Sequence, residues 1–221
     1  MGPVPAQRNL PVKSLPLATT AWILILLVCF ALQQIVVVHF GKPYDAYLAM
    51  SGYGIKSGHL WELLTLNLLH AGWLHLGMNV PCLWFVGRAV ERGLGWRRLV
   101  GITLPACLVG ALLQGAVGVA GFLLPESIES VAAFLRDRYG GPLYGASVPL
   151  CAWYGVWCHM PFHGVLASER SAGLARPRFL WLAAGAALVL VVVPTTPDLP
   201  HLAHLGAMLA GAWLSRRPAR S

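Results

Sequence analysis

Of the 221 residues, 57% are apolar and 11% are charged, well under half the charge of about 25% usual in soluble domains, which excludes water as the solvent for most of the surface. The net charge of +8 comes with no RNP, zinc-finger or basic-helix pattern, so nucleic acid is excluded as its explanation. All five cysteines, Cys29, Cys82, Cys107, Cys151 and Cys158, fall in apolar runs and make no CxxC pair, which excludes a disulfide framework and a thiolate metal centre.

A hydrocarbon core about 30 Å thick needs about 17–25 apolar residues per crossing. Six such runs follow one another, at approximately 18–38, 70–90, 99–121, 148–167, 178–194 and 200–215. The fold expected is therefore all-α, a polytopic bundle of six transmembrane helices. Residues 1–17 form a Pro-rich, basic tail, 18–215 a single membrane domain and 216–221 a second short tail. The first run is too long for a signal-peptide core and lacks a small-residue cleavage site, so it is read as a retained span.

An even number of spans places both termini on one side, and Lys and Arg decide which. With the N-terminus inside, twelve of the sixteen basic residues fall in inner segments, whereas Asp45, Glu62, Glu126, Glu129, Asp137 and Asp198 fall outside. The protein is accordingly expected in a cell membrane, multi-pass, with N- and C-termini cytoplasmic. The compact core and this charge pattern favour a bacterial inner membrane. Between the third and fourth runs, IESVAAFLRDRYG reads as either a short amphipathic helix on the outer surface or a lid-like or disordered loop.

Polar side chains in the spans are costly, so those present are functional candidates. The second span opens with HAGWLHLGMN, which sets His75 and Asn79 one turn apart on one helix face, with His70 at or just before the helix start. The fourth opens with YGASVPL and carries Ser147. The sixth opens with PHLAHLGAMLAG and carries His201 and His204. All three groups reach the outer third of the bilayer from separate parts of the chain. Ser147, Cys151 and Gly155 in the fourth span, and Ala203, Ala207 and Ala210 with Gly206 and Gly211 in the sixth, form small-residue stripes that let two helices approach. Pro149 is expected to hold Ser147 just outside the first helical turn.

A serine hydroxyl becomes a competent nucleophile when a neutral imidazole accepts its proton. With no Asp or Glu inside the spans, Ser147 and His204 read as a dyad rather than a triad. His75, Asn79 and the Ser147 backbone N–H are candidate donors to the oxyanion of an acyl-transfer intermediate.

These residues resemble the rhomboid family of intramembrane serine proteases over residues 59–215. HLWELLTLNLLHAGWLHLGMN carries the family's HxxxxHxxxN at His70, His75 and Asn79. VGRAVERGLGW has its ExxxG at Glu91 and Gly95, GAS at 145–147 matches the nucleophile motif opened by Gly145, and AHLGxxxAG at 203–211 matches the histidine helix. The resemblance implies Ser147 as nucleophile, His204 as general base, His75 and Asn79 as oxyanion-hole side chains, and His70 as a structural residue of the loop. It implies hydrolysis of peptide bonds in or near transmembrane segments of membrane-protein substrates within the lipid bilayer, with no cofactor and no metal. Four features depart from the pattern: Val148 stands in place of the last Gly of GxSG, Ala207 in place of a Gly after the histidine, Glu62 in place of an Arg after Trp61, and residues 121–143 make the connection before the serine longer than the family minimum. Val148 is expected to crowd the site or shift the serine.

Two other readings compete. A catalytically inactive rhomboid-like protein would bind membrane clients without cutting them. A histidine-based metal transporter would use His70, His75, His201 and His204, but the chain offers neither carboxylate partners nor an internal repeat.

Overall fold

The computed structural model describes residues 15–40, 45–160 and 201–216. Within them the chain is all-helical, apart from one isolated antiparallel bridge between Met50 and Leu143. The expected fifth span, at 178–194, and the end of the fourth lie outside the described residues.

α1 (Leu17–Phe40) is apolar on every face, as a lipid-exposed span is, and burial is confined to a few positions such as Leu26 and Phe30. Its first-turn amides have no partner within the helix. The Glu91 carboxylate supplies one: it accepts hydrogen bonds from Ala18 N at 2.9 Å, Thr19 N at 2.8 Å and Thr19 Oγ1 at 2.7 Å. After α1, short helical turns at Asp45–Leu48, Gly52–Lys56 and Glu62–Thr65 and a 3-10 turn at Leu66–Leu68 form the loop that leads into α2 (Trp73–Leu94).

Glu91 lies in the last turn of α2, so the start of α1 meets the end of α2. Gly95 then separates α2 from α3 (Trp96–Leu123). Its φ of +81°, a left-handed value that favours glycine, reverses the chain within one residue. α1 and α3 therefore begin at the same end of the molecule and α2 runs the other way. Among the described helices, α1 and α3 are long and apolar enough to cross a bilayer. α2 matches the length of the second expected span but carries Arg88, Glu91 and Arg92 in its last turns. α5 (Ser147–His159) and α6 (His201–Leu214) match the expected fourth and sixth spans over 13 and 14 described residues, about 20 Å each at 1.5 Å per residue.

Between α3 and α5, the segment read as helix or lid forms a helix, α4 (Glu129–Tyr139). It packs on the last turns of α3, where Gly118 and Gly121 lack the side chains that would collide with Tyr139 O and Arg136 N, at 2.4 and 2.7 Å from an added Cβ. Arg136 Nη1 also donates to Gly121 O at 2.9 Å.

α5 sits centrally and touches α2, α3 and α6. Its Trp153 is buried against α2, where Gly87 makes room for the ring, and its indole N–H donates to Thr103 Oγ1 of α3 at 2.6 Å. α6 lies between α3 and α5, and the two contacts use different small residues. Gly155 meets Met208 O and Gly211 meets Ala152 O across the α5–α6 contact. Ala203, Gly206 and Ala207, expected to face the serine helix, instead face Gly110 of α3. A helix packed on both sides needs two small-residue faces, and a stripe read from sequence does not say which neighbour each face meets.

Candidate active site

Ser147 is the first residue of α5, with Ala146 as its cap. It is thus inside the helix rather than just outside the first turn as expected. Pro149 does not prevent this, because the first hydrogen bond within the helix, Leu150 N to Ala146 O at 3.2 Å, begins one residue after the proline. The approach to Ser147 is pinned at two points. Leu143 and Met50 exchange backbone hydrogen bonds of 2.7 and 3.0 Å, and Gly145 N donates to Leu66 O at 2.8 Å.

His204, in the first turns of α6, reaches Ser147 across the α5–α6 contact: its Nε2 lies 2.7 Å from Ser147 Oγ. With the imidazole proton on Nδ1, the hydroxyl donates to Nε2, the polarity a general base requires. Gln114 of α3, buried, accepts from Ala203 N at 3.3 Å and so fixes the start of the helix that carries His204. His201 is buried one turn before His204.

His75 and Asn79 project from the first turns of α2. Ala71 N donates to His75 Nδ1 at 3.5 Å, which leaves the ring proton on Nε2. Gly145 takes φ +142°, where an L side chain is strained. The place its Cβ would occupy is 2.9 Å from His75 Nε2 and 3.3 Å from Ser147 Oγ. The missing side chain thus leaves a space bordered by a hydroxyl and an N–H donor. Asn79 is 5% exposed, and its Nδ2 has no hydrogen-bond partner among the described residues. A buried amide without an acceptor is costly, about 1–3 kcal/mol.

His70 is fully buried and edge-on to His75 at 5.1 Å between ring centroids. Its backbone is held by Gln33 of α1, whose Nε2 donates to His70 O at 2.5 Å and whose Oε1 accepts from His70 N at 3.2 Å. The clamp joins α1 to the loop before α2 across 37 residues of sequence. A glutamine inside an otherwise apolar run was its one signal.

Val148 is fully buried in the hydrophobic core. Ser147 and His204 remain within 2.7 Å beside it, so the expected crowding does not separate them. Glu62 is buried as well. It accepts from Ser51 N at 3.0 Å and pairs with His59 Nδ1 at 3.1 Å, so it ties the first loop together from within, in the space left by Gly54. Trp61, exposed, donates to Tyr47 O at 2.9 Å. No group of three or more potential metal-ligating side chains occurs among the described residues.

The Rhomboid domain family model matches residues 57–218, nearly three quarters of the chain. The chain belongs to the rhomboid family. Curated relatives agree. The rhomboid is 26% identical over 191 residues to the putative rhomboid protease YdcA of Bacillus subtilis, covering 84% of this chain and 83% of the relative. It is 37% identical over 95 residues to the rhomboid protease GluP of the same organism, 37% of this chain and 19% of the relative, and 27% identical over 158 residues to the rhomboid protease GlpG of Salmonella choleraesuis, 69% and 45%. The rhomboid thus spans about a fifth of the length of GluP and under half that of GlpG. The family is one of membrane proteins whose curated relatives are named as proteases.

Proposed function

We propose that this rhomboid is a serine endopeptidase that hydrolyses peptide bonds in or near the transmembrane segments of membrane-protein substrates by a Ser147–His204 dyad. The observation that carries the reading is the 2.7 Å contact between Ser147 Oγ and His204 Nε2, made between helices from distant parts of the chain. His204 takes the hydroxyl proton as Oγ attacks the scissile carbonyl and returns it to the leaving amine, and the same imidazole then takes a proton from the water that hydrolyses the Ser147 ester and returns it to Oγ. The oxyanion that forms lies in the space beside Gly145, where His75 Nε2–H and Asn79 Nδ2, which has no partner among the described residues, are the side-chain donors and Ser147 N–H the backbone one. His70 orders the loop that delivers His75. The dyad needs neither metal nor cofactor.

The depth of the site supports cleavage within the membrane. α3 has 28 residues, about 42 Å at 1.5 Å per residue, against a hydrocarbon core of about 30 Å. With Trp96 anchored at the first boundary, the second falls near Gly118, where α4 begins to cover the helix. The start of α6 lies against Gly110 and Gln114, about 6–12 Å inside that boundary. We assign six spans to residues 18–215, tails at 1–17 and 216–221 on the cytoplasmic side, and a cell membrane, bacterial by the charge pattern, as the location.

The test is twofold. Purified wild type in detergent should react with a fluorophosphonate probe and cleave a transmembrane reporter, while Ser147→Ala and His204→Ala do neither. A folded wild type that neither labels nor cleaves would identify a client-binding member of the family instead.

A further inference from the structure

At the end where α1 and α3 begin, the surface between them has the features of a bound lipid's site. On α3, Arg97, Val100, Gly101, Leu104 and Leu108 follow the helical repeat and share one exposed face. Val100 is 41% and Leu104 49% exposed. Gly101 between them has no heavy atom within 4 Å of where a side chain would start, so the stripe is indented at that point. Beside the stripe lies a cavity of about 60 Å³, apolar, lined by Ala18 and Trp22 of α1, Trp153 of α5, and Leu99, Val100 and Thr103 among the residues of α3. The space would admit a few water molecules, but its walls offer them almost no polar partner. A few methylene groups suit it better.

The charge above this groove is one-sided. The Arg97 guanidinium lies 5.3 Å from the Trp96 ring, which is half exposed, as an interfacial aromatic is. Arg92 is exposed at the end of α2. Among the described residues the one carboxylate of this region, Glu91, is buried and spends both oxygens on the start of α1. The other described acidic residues belong to the loops and α4 at the opposite end.

We propose that the α1–α3 groove binds an anionic phospholipid of the surrounding leaflet, with its phosphate on Arg97 and one acyl chain along Val100, Gly101 and Leu104 toward the cavity. The occupant follows from position and charge. The groove is continuous with the lipid-facing side of α3, its polar end meets the headgroup layer, and among the described residues that end carries positive charge with no exposed carboxylate beside it. The inference does not rest on the protease reading.

The test is native mass spectrometry of the full-length protein released from micelles containing equal amounts of phosphatidylglycerol and phosphatidylcholine. Wild type should retain phosphatidylglycerol about fivefold over phosphatidylcholine, the preference one arginine supplies near a membrane surface. Arg97→Gln should abolish the preference by removing the charge, and Gly101→Leu by filling the indentation, while thermal unfolding of both stays that of wild type. Equal retention of the two lipids, a preference that persists in either variant, or loss of the lipid to added inorganic phosphate would overturn the proposal, the last by reducing the site to a simple anion contact.

Discussion

Gln33 and His70 hold each other through two hydrogen bonds that join the side chain of one to the backbone of the other, at 2.5 and 3.2 Å. The pair ties α1 to the turn that positions His75. Gln33→Leu leaves a buried N–H and C=O unpaired, and unfolding should cost about 1–3 kcal/mol less than in wild type. Thermal unfolding in detergent measures it. Gln33→Glu, whose ionised carboxylate would set a buried charge against the His70 carbonyl oxygen, should be destabilised at least as much as Gln33→Leu.

Asn79→Ala should leave the fold intact and lower kcat by about 100- to 1,000-fold with KM little changed, because the amide meets its acceptor only when the oxyanion forms. Steady-state cleavage of a transmembrane reporter separates the two constants. An Asn79→Ala enzyme with full kcat would remove the residue from the oxyanion hole.

Gly145→Ala meets two obstacles at once. The φ of +142° strains any L side chain, and the new methyl would sit 2.7 Å from the His75 ring. Activity should be lost at a stability cost of about 1–3 kcal/mol. Fluorophosphonate labelling should also fall, since the methyl enters the space in front of Ser147.

Val148→Gly bears on the departure from GxSG. Because Val148 is fully buried in the core, removing its side chain opens a cavity and loosens the first turn of α5. The variant should unfold about 2–4 kcal/mol more easily, from the lost packing and the poorer helix propensity of glycine, and should not exceed wild-type cleavage. A gain in cleavage would mean that the valine restrains the nucleophile after all.

The sequence makes the candidate site's residues legible and much of its support illegible. His75, Asn79, Ser147 and His204 stand out because polar side chains are conspicuous in apolar runs, and the ends of α1, α3 and α6 fall within a few residues of those expected. The Gln33 clamp, the Gln114 contact with Ala203 and the Met50–Leu143 bridge join positions far apart in the chain: the glutamines are conspicuous in their apolar runs, but nothing local says which backbone each one meets. Val148 shows the reverse error: a substitution beside the nucleophile looks intrusive until its side chain is seen to lie in the core. Adjacency along a helix says little about direction around it.

The carboxylate of Glu91 also imposes an order in time. The amides it satisfies belong to Ala18 and Thr19, 73 and 72 residues earlier. At about 5–20 residues per second of synthesis, the first helix waits several seconds with its leading end uncapped. During that interval water or lipid headgroups must serve those amides, and α1 is free to slide along the membrane normal. Completion of α2 removes that freedom, so the depth of the first helix is set by the second.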